Sequence, residues 1–467
     1  MSTFVCRVLF AISLLLPFAA LATSPKPMSA PAVDAAESAR IAAAVKQEFL
    51  HAWRGYKRYA WGHDDLAPLS RRPHDWYKQP LLMTPIDTLD TLVLMGLSED
   101  AMAARELIAS KFDPDQDFYV KNFEITIRLL GGLLSGYQLT GDERLLHKAE
   151  DLGTRLLPAF DSPTGLPYVE VNLHTGKTRG IETNPAETGT LLLEFGTLAK
   201  LTGKPVFYDT AKRALVETFK RRSAIGLVGA TINVETGNWT DPESSISGGI
   251  DSYYEYLWKC WRLFGDEDCL AMWKTSIAAA NQYLTDDLDG ALWYGYADMQ
   301  SGKRTHTYYG ALDAFFPAVL AVSGDVPRAA RLQDTWFAIW RKYGIEPEVF
   351  DYRAQKIAYQ GYALRPEIIE STYYLSHYTQ DEKYLAMGQT LFRDFVKYCR
   401  ADVGYAALWN VVSKRKKDRM ESFVFAETFK YFYLLFAPQA LDFDAVTFNT
   451  EAHPLRATWR DKQQISK

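Results

Sequence analysis

Cysteine is scarce in this chain, with four residues in 467, and they follow no metal-binding spacing. No Cys-x-x-Cys, His-x-x-x-His or His-Glu-x-x-His occurs, which excludes the common zinc and dithiol sites. Cys260 and Cys269 stand almost symmetrically about Gly265. Antiparallel helices on either side of that glycine would bring them together, so a disulfide and two free thiols both stay open, with Cys399 unpaired. Positive charge is also in short supply. A formal net charge of -5 argues against nucleic acid or an anionic membrane as partner, and the one basic run, 414–417, reads as a solvated loop. Beyond the first 22 residues no apolar run is long enough to span a bilayer. There is no linker, and no low-complexity segment after 24–31.

The N-terminus has a different composition. Arg7 precedes an apolar stretch over 8–22, broken by Ser13 and Pro17 and ending in Ala20-Leu21-Ala22. That pattern predicts a cleaved secretory signal at 1–22, then a leader over 23–38 and a single domain over 39–460. The expectation is an exported protein, periplasmic or extracellular. Gln463-Gln464-Ile465-Ser466-Lys467 is no retention signal, so the endoplasmic-reticulum lumen is less favoured.

What the chain does have is a repeat. Seven carboxylates, Asp87, Glu124, Glu187, Asp251, Asp313, Glu367 and Glu427, each open an apolar stretch with helical patterning. Six of those stretches run into similar turns, such as Leu139-Thr140-Gly141-Asp142 and Leu263-Phe264-Gly265-Asp266, followed by a second amphipathic stretch. Units of roughly 45 to 60 residues, each a helix pair, predict a helical array that grows by adding pairs. With the first helices parallel, their acids meet at one end of a barrel, where acid/base chemistry belongs. Aromatics make up 14% of the residues, including 27 Tyr and 12 Trp; most belong to the core, and the excess suits clefts that stack sugars.

Four stretches carry specific chemistry. In Asn122-Phe123-Glu124-Ile125-Thr126-Ile127-Arg128, the acid and the arginine share a helix face amid aliphatic residues, so the pair needs a buried role. Gly131-Gly132 follows, costing about 2 kcal/mol against alanine in a helix, which close approach of a neighbour would justify. Gly248-Gly249 gives a flexible entry to Asp251-Ser252, either of which suits an N-cap. Arg365-Pro366-Glu367 starts a helix on which Glu370 lies at i+3, two like charges that need a cation, proton or ligand. Phe423 stands one turn ahead of Glu427.

These motifs, with Thr84-Pro85-Ile86-Asp87 before them and Asn449-Thr450-Glu451-Ala452-His453 after, follow the order found in glycoside hydrolase family 47, the calcium-dependent inverting α-1,2-mannosidases. The resemblance covers roughly residues 40–456. It implies an all-α fold, an (α/α)7 barrel of helical hairpins with a C-terminal β-hairpin plug over 446–454. It also implies that Glu124, Asp251 and Glu367 are the catalytic acids. Arg128, Glu187, Arg365, Glu370, Phe423, Glu427 and Glu451 then match substrate-binding positions, and Thr450 matches a calcium ligand offering carbonyl and hydroxyl oxygens. The implied partner is a mannose-containing oligosaccharide or glycoprotein glycan, with no nucleic acid and no membrane after signal cleavage.

Two positions depart from the single-mannose-trimming branch. Gly249 replaces an arginine, and Ala311 replaces a histidine common in the processing branches; both segments look closer to the degradation-enhancing mannosidase-like branch. The expected activity is exo-acting hydrolysis of terminal α-1,2-mannose. The competing reading is a mannose-binding, lectin-like protein with little or no catalysis. A third is a helical-toroid glycosidase acting on glucans.

Overall fold

The structure is a computed structural model that describes residues 33–459. The expected signal, residues 23–32 of the expected leader, and 460–467 fall outside the described residues. All described residues belong to one compact unit.

The first helix, Ala35–Tyr59, begins inside the segment expected to be leader, because Asp34 caps it by accepting from the Glu37 N–H at 2.8 Å. Helices then follow in pairs. The inner members are Met83–Leu94, a continuous helix over 122–140, Pro185–Gly189 with Leu192–Thr202, Asp251–Phe264, Leu312–Phe315 with Phe316–Val322, Glu367–Thr379, and Val424–Thr428 with Phe429–Phe436. Each of the first six is followed by its outer partner: Ser98–Lys111, Glu143–Leu156, Pro205–Lys220, Glu267–Tyr283, Val326–Tyr343 and Lys383–Cys399.

The repeated turn has a simple cause. Gly141, Gly203 and Gly265 end their inner helices in the left-handed region, at φ of 72°, 74° and 74°, where a side chain would be strained. Asp142, Asp266 and Asp325, which follow Gly141, Gly265 and Gly324, cap the outer helices by accepting backbone N–H groups. Inner helices are buried nearly all round, as in Leu192–Thr202, whereas outer helices such as Glu143–Leu156 bury one stripe.

The last inner helix takes its outer partner from the other end of the chain. Ala35–Tyr59 packs on it through Phe49, whose ring lies 5.4 Å from Phe425 and 5.8 Å from Phe429. Val424–Thr428 also packs on Met83–Leu94, so the seven inner helices close into an (α/α)7 barrel. Among the described residues, short strands form eight small sheets, seven in the connections and one in the C-terminal hairpin.

The C-terminal hairpin pairs Thr447–Phe448 with Pro454–Leu455 and sends its loop, 449–453, into the barrel. Asn449 donates to the Ile127 carbonyl at 2.9 Å and to Glu194 at 2.7 Å. His453 is held between Asp90 (Nδ1, 2.6 Å) and Asp87 (Nε2, 3.1 Å), and Lys430 bridges Asp90 and the Ala452 carbonyl. With a carboxylate on each ring nitrogen, His453 outweighs its burial and is held above the usual imidazole range.

Cys260 and Cys269 form a disulfide, with Cα atoms 6.0 Å apart, and Cys399 is buried and unpaired. Among the described residues no helix is long and apolar enough to cross a membrane.

Candidate active site

Five of the seven helix-opening acids, Glu124, Glu187, Asp251, Glu367 and Glu427, line a cavity of about 280 Å³ at the N-terminal end of the inner helices. The other two turn away. Asp87 is buried, accepting from the Ser422 hydroxyl and facing His453. Asp313 accepts from the Gly310 N–H at 2.7 Å and the Ser247 hydroxyl at 3.1 Å. The remaining positions expected from sequence, Arg128, Arg365, Glu370, Phe423, Thr450 and Glu451, all line the same cavity. A larger groove, about 810 Å³, lies at the opposite end between the start of Ala35–Tyr59 and residues 433–443. It gathers no group of acids, whereas the smaller cavity gathers those that the sequence singles out.

Local backbone geometry sets how these side chains are presented. Thr126–Leu130 and Val424–Thr428 are π turns within longer helices, and they carry Arg128 and Glu427. Such widened turns recur where a helix must re-aim a side chain. Leu364 holds φ at 65°, a left-handed conformation costing about 1–2 kcal/mol for a non-glycine, immediately before Arg365-Pro366-Glu367.

Arg128 is the electrostatic hub. Its Nε donates to Glu124 at 3.0 Å, its Nη1 pairs with Glu451 and lies 3.7 Å from Asp87, and its guanidinium sits 5.4 Å from the Trp76 ring and 5.8 Å from Phe423. At 9% exposure this is no surface ion pair. Arg365, anchored by Glu348 at 3.1 Å, also lies 6.0 Å from the Phe423 ring. The phenyl ring therefore has two cations within about 6 Å of its centre.

Burial dominates the acids. It pushes Asp251 up to about 6, against the Ser252 N–H that donates to it at 2.7 Å. It pushes Glu367 up to about 8, with Arg365 opposing and Glu348 and Asp251 adding to the rise. Glu370 rises for the same reason despite Lys259. Glu427 and Glu451 are held well above the usual carboxylate range by burial, and repel one another. Glu367 Oε2 is buried without a hydrogen-bond partner among the described residues.

Sequence reading missed Glu255, which also lines the cavity. It is 2% exposed and pairs with the equally buried Lys259 one turn further along. The signal was available: Asp251, Glu255 and Lys259 recur at i, i+4 and i+8 on one face.

The donor set suits a hard cation. Eight carboxylates, those of Glu124, Glu187, Asp251, Glu255, Glu367, Glu370, Glu427 and Glu451, line the cavity against two guanidiniums, and Thr450 adds oxygens at the hairpin tip. The Thr450 N–H is already engaged, donating to the Tyr256 hydroxyl at 3.3 Å. Among the described residues, the only set of three Asp, Glu, His or Cys ligand atoms converging within 4.8 Å is Cys260, Asp266 and Cys269, two of which are joined to each other. The cavity's acids therefore surround a space rather than form a closed cage.

The closed helical toroid gathers its acids in one cavity at one end, an arrangement suited to acid/base chemistry on a polar substrate. The sequence profile of glycosyl hydrolase family 47 matches residues 48–457, and the chain belongs to that family. It is 39% identical to the Arabidopsis thaliana protein named Alpha-mannosidase I MNS4 over 90% of this chain and 70% of that one. It is 36% identical to the Homo sapiens ER degradation-enhancing alpha-mannosidase-like protein 2 over 95% of this chain and 82% of the relative. Its fold matches an alpha-1,2-mannosidase from Trichoderma reesei with a TM-score of 0.83 at 27% identity, covering 90% of this chain and 99% of that one.

Proposed function

We propose that this protein is an exported, calcium-dependent α-1,2-mannosidase that removes terminal mannose from high-mannose glycans or oligosaccharides with inversion. The observation that carries the reading is Glu367, a buried carboxylate with an unpartnered oxygen in a cavity shared with Glu124 and Asp251. A buried acid left unsatisfied is costly unless a ligand uses it.

In the proposed reaction Glu367 removes a proton from water as the water attacks the anomeric carbon. The glycosidic C–O bond breaks, and the leaving oxygen takes a proton from the acid on the opposite side, giving β-mannose. Glu124 is the proton donor in this reading. Asp251, held near 6 by burial, shares that role or orients the donor. Arg128, Arg365, Glu187, Glu370, Glu427, Glu451 and Phe423 bind the sugar, Phe423 offering an apolar face and the others hydrogen bonds. Thr450 would hold calcium through its hydroxyl and carbonyl oxygens, with the surrounding carboxylates orienting its waters. When bound, the ion would coordinate sugar hydroxyls and favour the ionised carboxylates. Glu367 must be ionised to act as base, and Arg365 supplies positive charge beside it.

The disulfide fits an oxidising compartment and hence export. Names such as ER degradation-enhancing alpha-mannosidase-like protein keep a second reading alive, mannose binding with little turnover. Incubation with α-1,2-linked mannobiose followed by proton NMR separates the two. Release of β-mannose is expected; unchanged disaccharide at high protein concentration would favour the lectin. Glu367→Gln should fold and lose turnover, and retention of about a tenth of the activity would remove it from the base role.

A further inference from the structure

The connections on the active-site face carry an aromatic patch that the cavity does not use. Tyr359, Trp409 and Val412 are 57%, 47% and 65% exposed, unusually open for large apolar side chains. They stand on two neighbouring hairpins, one formed by Val349–Asp351 and Lys356–Tyr359, the other by Leu408–Asn410 and Arg415–Lys416. The hairpins are fastened side by side. Tyr362 and Leu408 exchange backbone hydrogen bonds of 3.0 and 2.8 Å, and the Val411 N–H donates to the Gln360 carbonyl at 2.8 Å.

The patch is continuous with the cavity wall. Arg365, in that wall, is anchored by Glu348, whose Oε1 accepts the Ala363 N–H at 2.7 Å. A Cβ built on Gly361 would lie 3.6 Å from Glu348 Cγ, 3.5 Å from the Leu408 carbonyl and 3.2 Å from the Tyr359 ring. Only a few ångströms of structure therefore separate the Arg365 anchor from the exposed tyrosine. Each aromatic is also followed by an amide, Gln360 after Tyr359 and Asn410 after Trp409, and the amides bond to each other at 2.7 Å. Lys417 sits 4.7 Å from the Trp409 ring.

We propose that Tyr359 and Trp409 form an outer saccharide-binding platform, taking the sugars of a glycan beyond the mannose that occupies the cavity. Flat aromatic faces match the apolar face of a sugar ring, while the two amides, bonded to each other, fasten the hairpins that carry the rings. A surface built to hold extended polypeptide would need more aliphatic area, and Val412 is the one large aliphatic side chain exposed on these two hairpins. The cleaved mannose fills the cavity, so the rest of its glycan must leave across the rim, and this patch lies on it. This inference rests on the proposed glycan substrate and adds where the remainder binds.

The test uses the mature chain, Tyr359→Ala, Trp409→Ala and the double variant. Two substrates separate the possibilities: α-1,2-mannobiose, which places a single sugar beyond the cavity, and a free high-mannose oligosaccharide, which places several. Each ring lost should raise KM for the oligosaccharide about three- to ten-fold and leave mannobiose kinetics unchanged. Equal KM values for the oligosaccharide in wild type and double variant would overturn the platform. So would a defect seen only on denatured glycoprotein and not on the free glycan, which would make the patch a polypeptide site. Binding of the oligosaccharide to Glu367→Gln, with and without the two rings, is measured by calorimetry. It reads the platform even where turnover is absent, so failure of the catalytic reading and failure of the platform give different results.

Discussion

Gly131 lies so close to Asn449 that a Cβ built on the glycine would sit 2.7 Å from the asparagine's amide nitrogen and 2.9 Å from the ring of His453. Its neighbour Gly132 is equally confined, with the Ile86 carbonyl at 2.7 Å. The helix accepts two poor helix formers so that the plug hairpin can enter the barrel and so that the inner helix over 122–140 can approach Met83–Leu94. Gly131→Ala should therefore push the hairpin outward at a cost of about 1–3 kcal/mol. Because Thr450 follows Asn449, calcium affinity should fall more than thermal stability does. Calorimetric calcium titration beside a melting curve checks this; unchanged calcium affinity would show that the hairpin tolerates the shift.

Stability should depend on pH in an unusual direction when calcium is chelated. Burial holds Asp251 near 6, Glu194 near 7 and Glu367 near 8, all above their unfolded values. Between about pH 4 and 8 the folded state keeps protons that the unfolded chain gives up, so these groups stabilise the fold most at low pH. That contribution is lost as pH rises through 6, 7 and 8. Asp90 works oppositely, held near 2 because Lys430 and His453 outweigh its burial, but its contribution is already complete above about pH 4. The melting temperature in chelator should fall from about pH 5.5 to 8, and calcium should remove the decline while releasing protons. A flat or rising profile in chelator would show that the cavity acids are ionised without the metal.

Arg128→Met should be among the most damaging single changes. It leaves Glu124, Glu451 and Asp87 facing one another without their shared cation, and breaking one side of a buried pair costs about 3–5 kcal/mol. Arg128→Lys keeps the charge but loses the planar contact with Trp76 and Phe423. The lysine variant should fold and bind sugar weakly, whereas the methionine variant should melt well below wild type. Near-equal melting temperatures for the three proteins would show that the carboxylates protonate to escape the loss.

Much of this architecture was legible in the sequence because it depends on local chemistry. The Gly-Asp turns announce themselves, since glycine alone takes the left-handed position cheaply and aspartate caps the next helix. The acid-led helices follow from periodicity. What stayed hidden depends on contacts far apart in the chain. Nothing local says that Ala35–Tyr59 pairs with a helix almost 400 residues later, or that Asp87 and Asp313 turn away from the cavity while Glu187 opens onto it. The π turns at Arg128 and Glu427 have no composition signature. Ala311, which stands where the processing branches carry a histidine, is fully buried, donating its N–H to the Glu348 carbonyl at 3.1 Å, and does not line the cavity. Any effect of that position on specificity must pass through its neighbours Leu312 and Phe315, which do line it.

Gly249 remains the position where branch choice should be decided. It lines the cavity between Asn184 and Asp251, and a Cβ there would meet nothing closer than Asn184 at 3.7 Å, so a long side chain has room to reach the bound glycan. The backbone sets a cost, because φ is 91° and a non-glycine residue is strained there by about 1–2 kcal/mol. With glycine, the cavity wall carries no side chain at this point and should hold a departing sugar loosely. Wild type should therefore trim more than one α-1,2-linked branch of a high-mannose glycan, leaving α-1,3 and α-1,6 links untouched. Gly249→Arg should narrow the products toward one isomer, since a guanidinium there would bond several hydroxyls at once. Gly249→Ala carries the same backbone strain without the cation, and should lose stability while keeping the broad product range. Chromatography of the digested glycan with branch isomers resolved reads all three. Removal of a single mannose by wild type, or narrowing by the alanine variant as well, would show that this loop does not govern branch choice.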